Sequence, residues 1–158
     1  MKIDLKSKKI AKSSNISIVI SEFNSKIIER LLKGAMNAYE FHGGLKKNLK
    51  VHRLPGAFEI PGTVNLIMKH RDVDAIVALG AVIRGETPHF DFVAKESAHG
   101  LAELSRISDV PIINGILTTD NVKQAMSRSN INGNNKGWDS MEAALSTILT
   151  YNDIKHSS

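Results

Sequence analysis

Apolar positions along this chain alternate between short dense runs and longer spaced stripes. Residues 15–20 form a β-branched run; after Ser25, apolar side chains recur at Ile27, Ile28, Leu31, Leu32, Ala35 and Ala38, the spacing of a helix that stops at Gly43 and Gly44. Residues 49–54 give a second strand, halted by Pro55 and Gly56, and residues 58–69 resume a helical pattern with Pro61 and Gly62 near its start. Residues 74–83 are almost uninterruptedly apolar, as expected of a strand buried on both faces of a sheet. Thr87 as N-cap and Pro88 as first helical residue then introduce a stripe at Phe90, Val93, Ala94, Ser97, Leu101 and Leu104. A fourth run covers residues 110–117. Thr118, Thr119 and Asp120 are expected to cap a helix reaching Arg128, and Met141, Ala144, Leu145, Ile148 and Leu149 mark a last helix after the polar segment 130–136. Four strands alternating with helices require right-handed parallel crossovers, so the predicted fold is a three-layer α/β/α sandwich with helices on both faces of a four-stranded parallel sheet.

The chain has 158 residues, of which 42% are apolar and 23% charged, the balance of one ordinary domain with a real core. A single domain over residues 1–158 is expected, with residues 1–12 as a basic arm carrying five lysines. No apolar run approaches the roughly 20 residues that span a bilayer, and no apolar segment follows the lysines as in a secretory leader, so a cytoplasmic location is expected. There is no cysteine, which removes disulfides, thiolate metal sites and a thiol nucleophile. The net charge of +5 is scattered rather than gathered into a stripe, and the eight aromatics do not interleave with it, which argues against nucleic-acid binding. None of the six histidines pairs at the spacing of a helical metal site, so no metal is expected, and with no Walker loop, dinucleotide fingerprint or serine elbow the ATP, NAD and serine-hydrolase readings have no support.

Ligands of open parallel sheets sit at the carboxyl ends of the strands. Those ends lead here into residues 22–24, 55–59, 84–89 and 114–119. Residues 84–89 combine Gly85, unpaired first-turn amides and His89 at a helix N-terminus, an arrangement that attracts phosphate and favours a neutral imidazole able to accept a proton. By spacing alone, His89 reads first as a surface histidine of an ordinary capped helix. Phe23 is either core filler or a stacking face for a planar heterocycle. Phe58 suits a core position, whereas Glu59 in a helix first turn is placed to accept hydrogen bonds from a polyol. Arg128 and Lys136 flank a polar loop and acquire meaning only beside an anion.

The strings LPGAFEIPGTVN (54–65), ALGAVIRGETPHFDFVAKESAHGL (78–101), PIINGILTTDNVKQAMSRS (111–129) and NKGWDSMEAAL (135–145) resemble the lumazine synthase family in order and over nearly the whole chain. The resemblance implies a flavodoxin-like fold assembled into pentamers, which in some members build sixty-subunit icosahedral shells, with riboflavin synthase as a candidate partner. It implies a transferase of riboflavin biosynthesis that condenses 5-amino-6-(D-ribitylamino)uracil with 3,4-dihydroxy-2-butanone 4-phosphate, without a cofactor, in sites shared between neighbouring subunits. A non-catalytic flavin- or lumazine-binding carrier or shell protein of the same family is the alternative.

By the same resemblance, Phe23 stacks on the pyrimidine, Ala57, Phe58 and Glu59 hold the ribitylaminouracil, and Ala81, Val82 and Ile83 meet the heterocycle edge through main-chain groups. Glu86 and Thr87 form the phosphate-binding turn and His89 transfers protons. Asn114, Arg128 and Lys136 are contributed by the adjacent subunit, Arg128 gripping the phosphate. Two positions depart from the pattern: Asn114 stands where many relatives have an aromatic, and Ser21 and Glu22 stand where many have alanine and arginine.

Overall fold

A computed structural model describes residues 7–157. Its framework is a four-stranded sheet of β1 (Ile16–Ser21), β2 (Leu49–Leu54), β3 (Ala75–Ile83) and β4 (Ile112–Thr119), ordered β2-β1-β3-β4. Every pairing is parallel; Ile16 lies opposite Leu49 and Ala75, and Ile83 opposite Thr119. The helices are α1 (Ser7–Ser13), α2 (Ser25–Phe41), α3 (Ile60–His70), α4 (His89–Ile107), α5 (Val122–Ser127) and α6 (Lys136–His156).

The period of two in the strands distributes their side chains between two cores. Ile16, Ile18 and Ile20 of β1, with Val77 and Leu79 of β3, pack under Leu31, Ala35 and Tyr39 of α2 and Met141, Leu145 and Ile148 of α6. Val19, Ile76, Ala78 and Val82 point the other way, against Ile60, Val64 and Ile67 of α3 and Phe90 and Leu101 of α4. This is the predicted three-layer sandwich, and the near-continuous apolar run of β3 is buried on both faces as its lack of alternation implied.

Several boundaries differ from expectation for identifiable reasons. The pattern of the basic arm predicts no element, yet part of it forms α1, because Ala11 is fully buried and Ile10 packs on the core beside α2 and α6; residues 1–6 of that arm lie outside the described residues. The helix read from residue 58 begins at Ile60, after a single 3₁₀ turn over Ala57–Glu59, with Pro61 in its first turn, where its missing N–H costs nothing. Thr87 makes no cap. Pro88 takes the N-cap position with ψ near 0°, outside the helical range, so α4 starts at His89 itself. The cap of α5 is Asn121, whose Oδ1 accepts from the Gln124 amide at 2.9 Å; Thr119 is still the last residue of β4.

Candidate functional site

At the carboxyl ends of β1, β2 and β3 lies a cleft of about 620 Å³ lined by Phe23, Asn24, residues 56–59, Ala81, Val82, Ile83, Gly85, Thr87, His89, Phe90, Val93 and Val122. Nine of the residues singled out in the sequence line it together: Phe23, Ala57, Phe58, Glu59, Ala81, Val82, Ile83, Thr87 and His89.

Phe23 follows β1 and is held by its backbone. The Glu22 amide donates to the Leu54 carbonyl at 2.7 Å and the Phe23 amide to the Pro55 carbonyl at 3.1 Å, tying this turn to the end of β2. The Phe23 ring is left 73% exposed, so of its two readings the core-filler one is excluded. Phe58, read as a core residue, is also largely exposed, since the 3₁₀ turn directs Ala57 inward instead. Glu59 accepts the Gly56 amide on Oε2 at 3.0 Å; that bond fixes the carboxylate at the cleft wall and leaves Oε1 able to accept from a hydroxyl.

The β3–α4 turn supplies the amides. The Arg84 N–H is committed to the Thr119 carbonyl at 2.9 Å and that of Asp91 to the Pro88 carbonyl at 3.0 Å. The N–H groups of Gly85, Glu86, Thr87, His89 and Phe90 have no partner among the described residues. They surround the N-terminus of a 19-residue helix, where orphan donors and the macrodipole together favour an anion. The His89 side chain likewise has no hydrogen-bond partner among the described residues and borders the same cleft, so both ring nitrogens are available to a ligand.

Four of the residues singled out stand elsewhere. Glu86 belongs to the turn but is exposed and does not line the cleft. Asn114 sits midway along the edge strand β4, opposite Ala78, with its Oδ1 accepting the Ile116 amide at 3.0 Å. Arg128 closes α5 and Lys136 opens α6. The two are adjacent because the Lys136 amide donates to the Arg128 carbonyl at 2.8 Å and Ser129 bridges Asn135. This junction is fastened to the layer of α2 and α6: Arg30 Nε donates to the Ser129 carbonyl at 2.8 Å, and Asn135 Nδ2 to the Arg30 carbonyl at 3.1 Å. Gly137 allows the close approach, since a Cβ there would run into the Leu31 carbonyl. Arg128 and Lys136 are exposed, and among the described residues no lysine or arginine lines the cleft.

Asn24 was missed as a site residue. It is the N-cap residue of α2 in the left-handed conformation (φ 66°), but its side chain makes no cap bond and instead donates from Nδ2 to the Ala81 carbonyl at 3.1 Å, joining the Phe23 turn to the end of β3. Asparagine after a strand and before a helix was the available signal, because it tolerates that conformation better than most residues. Gly56, Gly85, Phe90, Val93 and Val122 complete the lining; Phe90 and Val93 were legible only as members of a helical stripe.

Among the described residues no group of His, Asp and Glu is arranged to hold a metal ion, and no helix is long and apolar enough to cross a membrane. The profile of the 6,7-dimethyl-8-ribityllumazine synthase family matches residues 13–152. The chain is also 41% identical over 140 residues to a 6,7-dimethyl-8-ribityllumazine synthase of Campylobacter hominis, covering 89% of this chain and 90% of that protein. Since both matches span most of its length and the fold accords with them, the chain belongs to the 6,7-dimethyl-8-ribityllumazine synthase family.

Proposed function

We propose that this protein, acting as one domain per subunit, condenses 5-amino-6-(D-ribitylamino)uracil with 3,4-dihydroxy-2-butanone 4-phosphate to give 6,7-dimethyl-8-ribityllumazine, inorganic phosphate and water, in the cytoplasm. The observation that carries the reading is a mismatch within one chain. Among the described residues the cleft offers an exposed aromatic, an oriented carboxylate, an unpartnered histidine and five free amides, yet no lysine or arginine to meet a phosphoester. Arg128 and Lys136, exposed and braced on the opposite helical layer, are the charges that a neighbouring subunit brings to complete it. Such head-to-tail pairing closes into a ring, in keeping with the family's pentamers, and a site made this way is absent from the isolated subunit.

In this assignment Phe23 stacks on the pyrimidine, Ala57 and Phe58 flank it, and the free Oε1 of Glu59 accepts from the ribityl hydroxyls. The main chain of Ala81, Val82 and Ile83 meets the heterocycle edge. Glu86 and Thr87, through their amides, share the phosphate with Arg128 of the adjacent subunit, while Asn114 and Lys136 of that subunit close over the ring. Asn114 offers no second stacking face, so the ring rests on Phe23 alone.

The chemistry is a sequence of proton transfers between two oriented substrates. The primary amine of the pyrimidine adds to the ketone, giving a carbinolamine that loses water to an imine. A proton leaves carbon as the C–O bond to phosphate breaks, giving an enol that tautomerises; the ribitylamino nitrogen then closes the ring and a second water departs. His89 accepts and returns protons at these steps, a contribution of about 10²–10⁴-fold. Holding amine and ketone in register supplies several kcal/mol more and dominates.

Mixing the purified protein with both substrates tests the reading. Lumazine absorbance should appear with one phosphate released per product and no added metal or cofactor. Binding of the pyrimidine without turnover would instead identify a non-catalytic carrier. Sedimentation of the same sample decides between a pentamer and a larger shell.

A further inference from the structure

The turn carrying the free amides has no obvious support of its own. Residues 85–87 make no hydrogen bond through their N–H groups to any described residue, and Pro88 has no N–H to give. What anchors this turn is Arg84, at its root. The Arg84 amide donates to the Thr119 carbonyl at 2.9 Å, its Nε to Asp120 Oδ1 at 3.0 Å, and its Nη1 lies 3.6 Å from Asp91 Oδ1. The guanidinium carbon also stands 4.5 Å from the centroid of the Phe90 ring, a stacking contact on a residue that lines the cleft. Phe90 and Asp91 belong to the first turn of α4; Thr119 and Asp120 belong to the end of β4 and the turn into α5. One side chain therefore pins the two turns to each other.

The second of these turns continues to Arg128. The Asp120 amide donates to Gln124 Oε1 at 2.8 Å, and the Gln124 carbonyl accepts from Arg128 Nη1 at 3.1 Å. We propose that Arg84 is a positioning residue for phosphate capture: by clamping Phe90 and Asp91 to Asp120 it holds the amide-bearing turn of its own cleft in shape, and through Asp120 and Gln124 it braces the helix that presents Arg128 to the neighbouring cleft. This inference rests on the assignment of the anion to the β3–α4 turn.

Arg84 suits that role because its planar fork reaches two carboxylates and an aromatic face at once, which an ammonium cannot do. With about half of its side chain exposed, the clamp adds little to global stability. Its loss should therefore register in anion binding rather than in folding.

The test uses the full assembled protein and the variants Arg84→Ala, Arg84→Lys and Asp120→Asn. Each is assayed with one substrate varied at a time, together with the affinity for inorganic phosphate as a probe of the phosphate site that the turn shares with Arg128 of the adjacent subunit. In Arg84→Ala, KM for the butanone phosphate and the phosphate dissociation constant should rise about tenfold, the loss expected when charge-assisted donors are no longer held in place. KM for the pyrimidine and the melting temperature should stay close to the parent's. Arg84→Lys and Asp120→Asn should fall between, and the double variant Arg84→Ala with Asp120→Asn should be no worse than Arg84→Ala alone, because both remove one clamp. Equal rises in both KM values, or unchanged phosphate affinity, would overturn the inference. If Arg84→Ala does not assemble, the two milder variants carry the same comparison. A parent protein that neither binds phosphate nor forms lumazine would instead refute the functional reading on which it rests.

Discussion

Replacing Arg128 separates binding of one substrate from binding of the other. Among the described residues of its own chain the Arg128 guanidinium has a single hydrogen bond, Nη1 to the Gln124 carbonyl, and the side chain is exposed, so Arg128→Ala should leave folding stability within about 0.5 kcal/mol. On the bound phosphate of the neighbouring cleft, the same side chain would make a forked pair of charge-assisted hydrogen bonds. At about 1.5–2 kcal/mol each, their loss removes about 3–4 kcal/mol, or on the order of 10²–10³ in kcat/KM. Arg128→Lys keeps the charge but not the fork and should cost about 1.5 kcal/mol, roughly tenfold. Steady-state rates of lumazine formation, measured with each substrate varied against saturating amounts of the other, should place these losses on the KM of the butanone phosphate. An equal rise in both KM values, or a drop in melting temperature that accounts for the lost rate, would refute the reasoning.

Phe23→Ala should show the opposite selectivity. With the ring exposed, stability is unaffected, but the lost stacking should weaken the pyrimidine by about 1–3 kcal/mol, which equilibrium titration with that substrate measures. A second prediction concerns pH. Burial, reinforced by the positive charges of Arg71 and Lys50, pushes the His52 imidazole below its ordinary range, so the unfolded chain takes up a proton that the folded chain resists. The contribution is fully present above about pH 6.5 and is lost as the pH falls through the folded value; urea midpoints should decline over that window, and less steeply in His52→Gln. Glu142→Ala should destabilise the fold by about 1–3 kcal/mol, because among the described residues the fully buried His42 has one hydrogen-bond partner, Glu142 Oε2 at 2.8 Å from Nε2, and its Nδ1 has none. Glu142→Gln, which can still accept that bond, should recover part of the loss in the same denaturation experiment.

The architecture was legible because the two helical faces impose themselves on the strands. The dense run of β3 marked a strand covered on both sides, and the stripes of α2, α4 and α6 each recur as the buried face of a helix. Element starts were less legible where cap chemistry offered competitors: Thr87 was a good cap by type, but Pro88 behind it moved the start to His89, and Asn121 took the role read for Thr118, Thr119 and Asp120. Helix α1 escaped because two apolar residues, Ile10 and Ala11, are enough to dock one short turn-rich segment among lysines without producing a periodic stripe. At the cleft, strand-end position alone picked out three segments that line it, within 22–24, 55–59 and 84–89, whereas 114–119 lies inside β4 and contributes no lining residue. Position did not reveal that Phe58 faces outward, that Asn24 bridges to Ala81, or that Arg84 joins two turns, since each depends on a contact between residues far apart in sequence.

The shared site is tested most directly by mixing subunits. A cleft variant, Phe23→Ala with His89→Ala, and an arginine variant, Arg128→Ala, should each be nearly inactive alone. In mixed oligomers formed by co-expression at equal levels, about a quarter of the sites pair an intact cleft with an intact Arg128 from the next subunit in a head-to-tail ring, so activity should recover to about that fraction of the parent. Activity no greater than the average of the two separate variants would contradict a cleft completed by its neighbour.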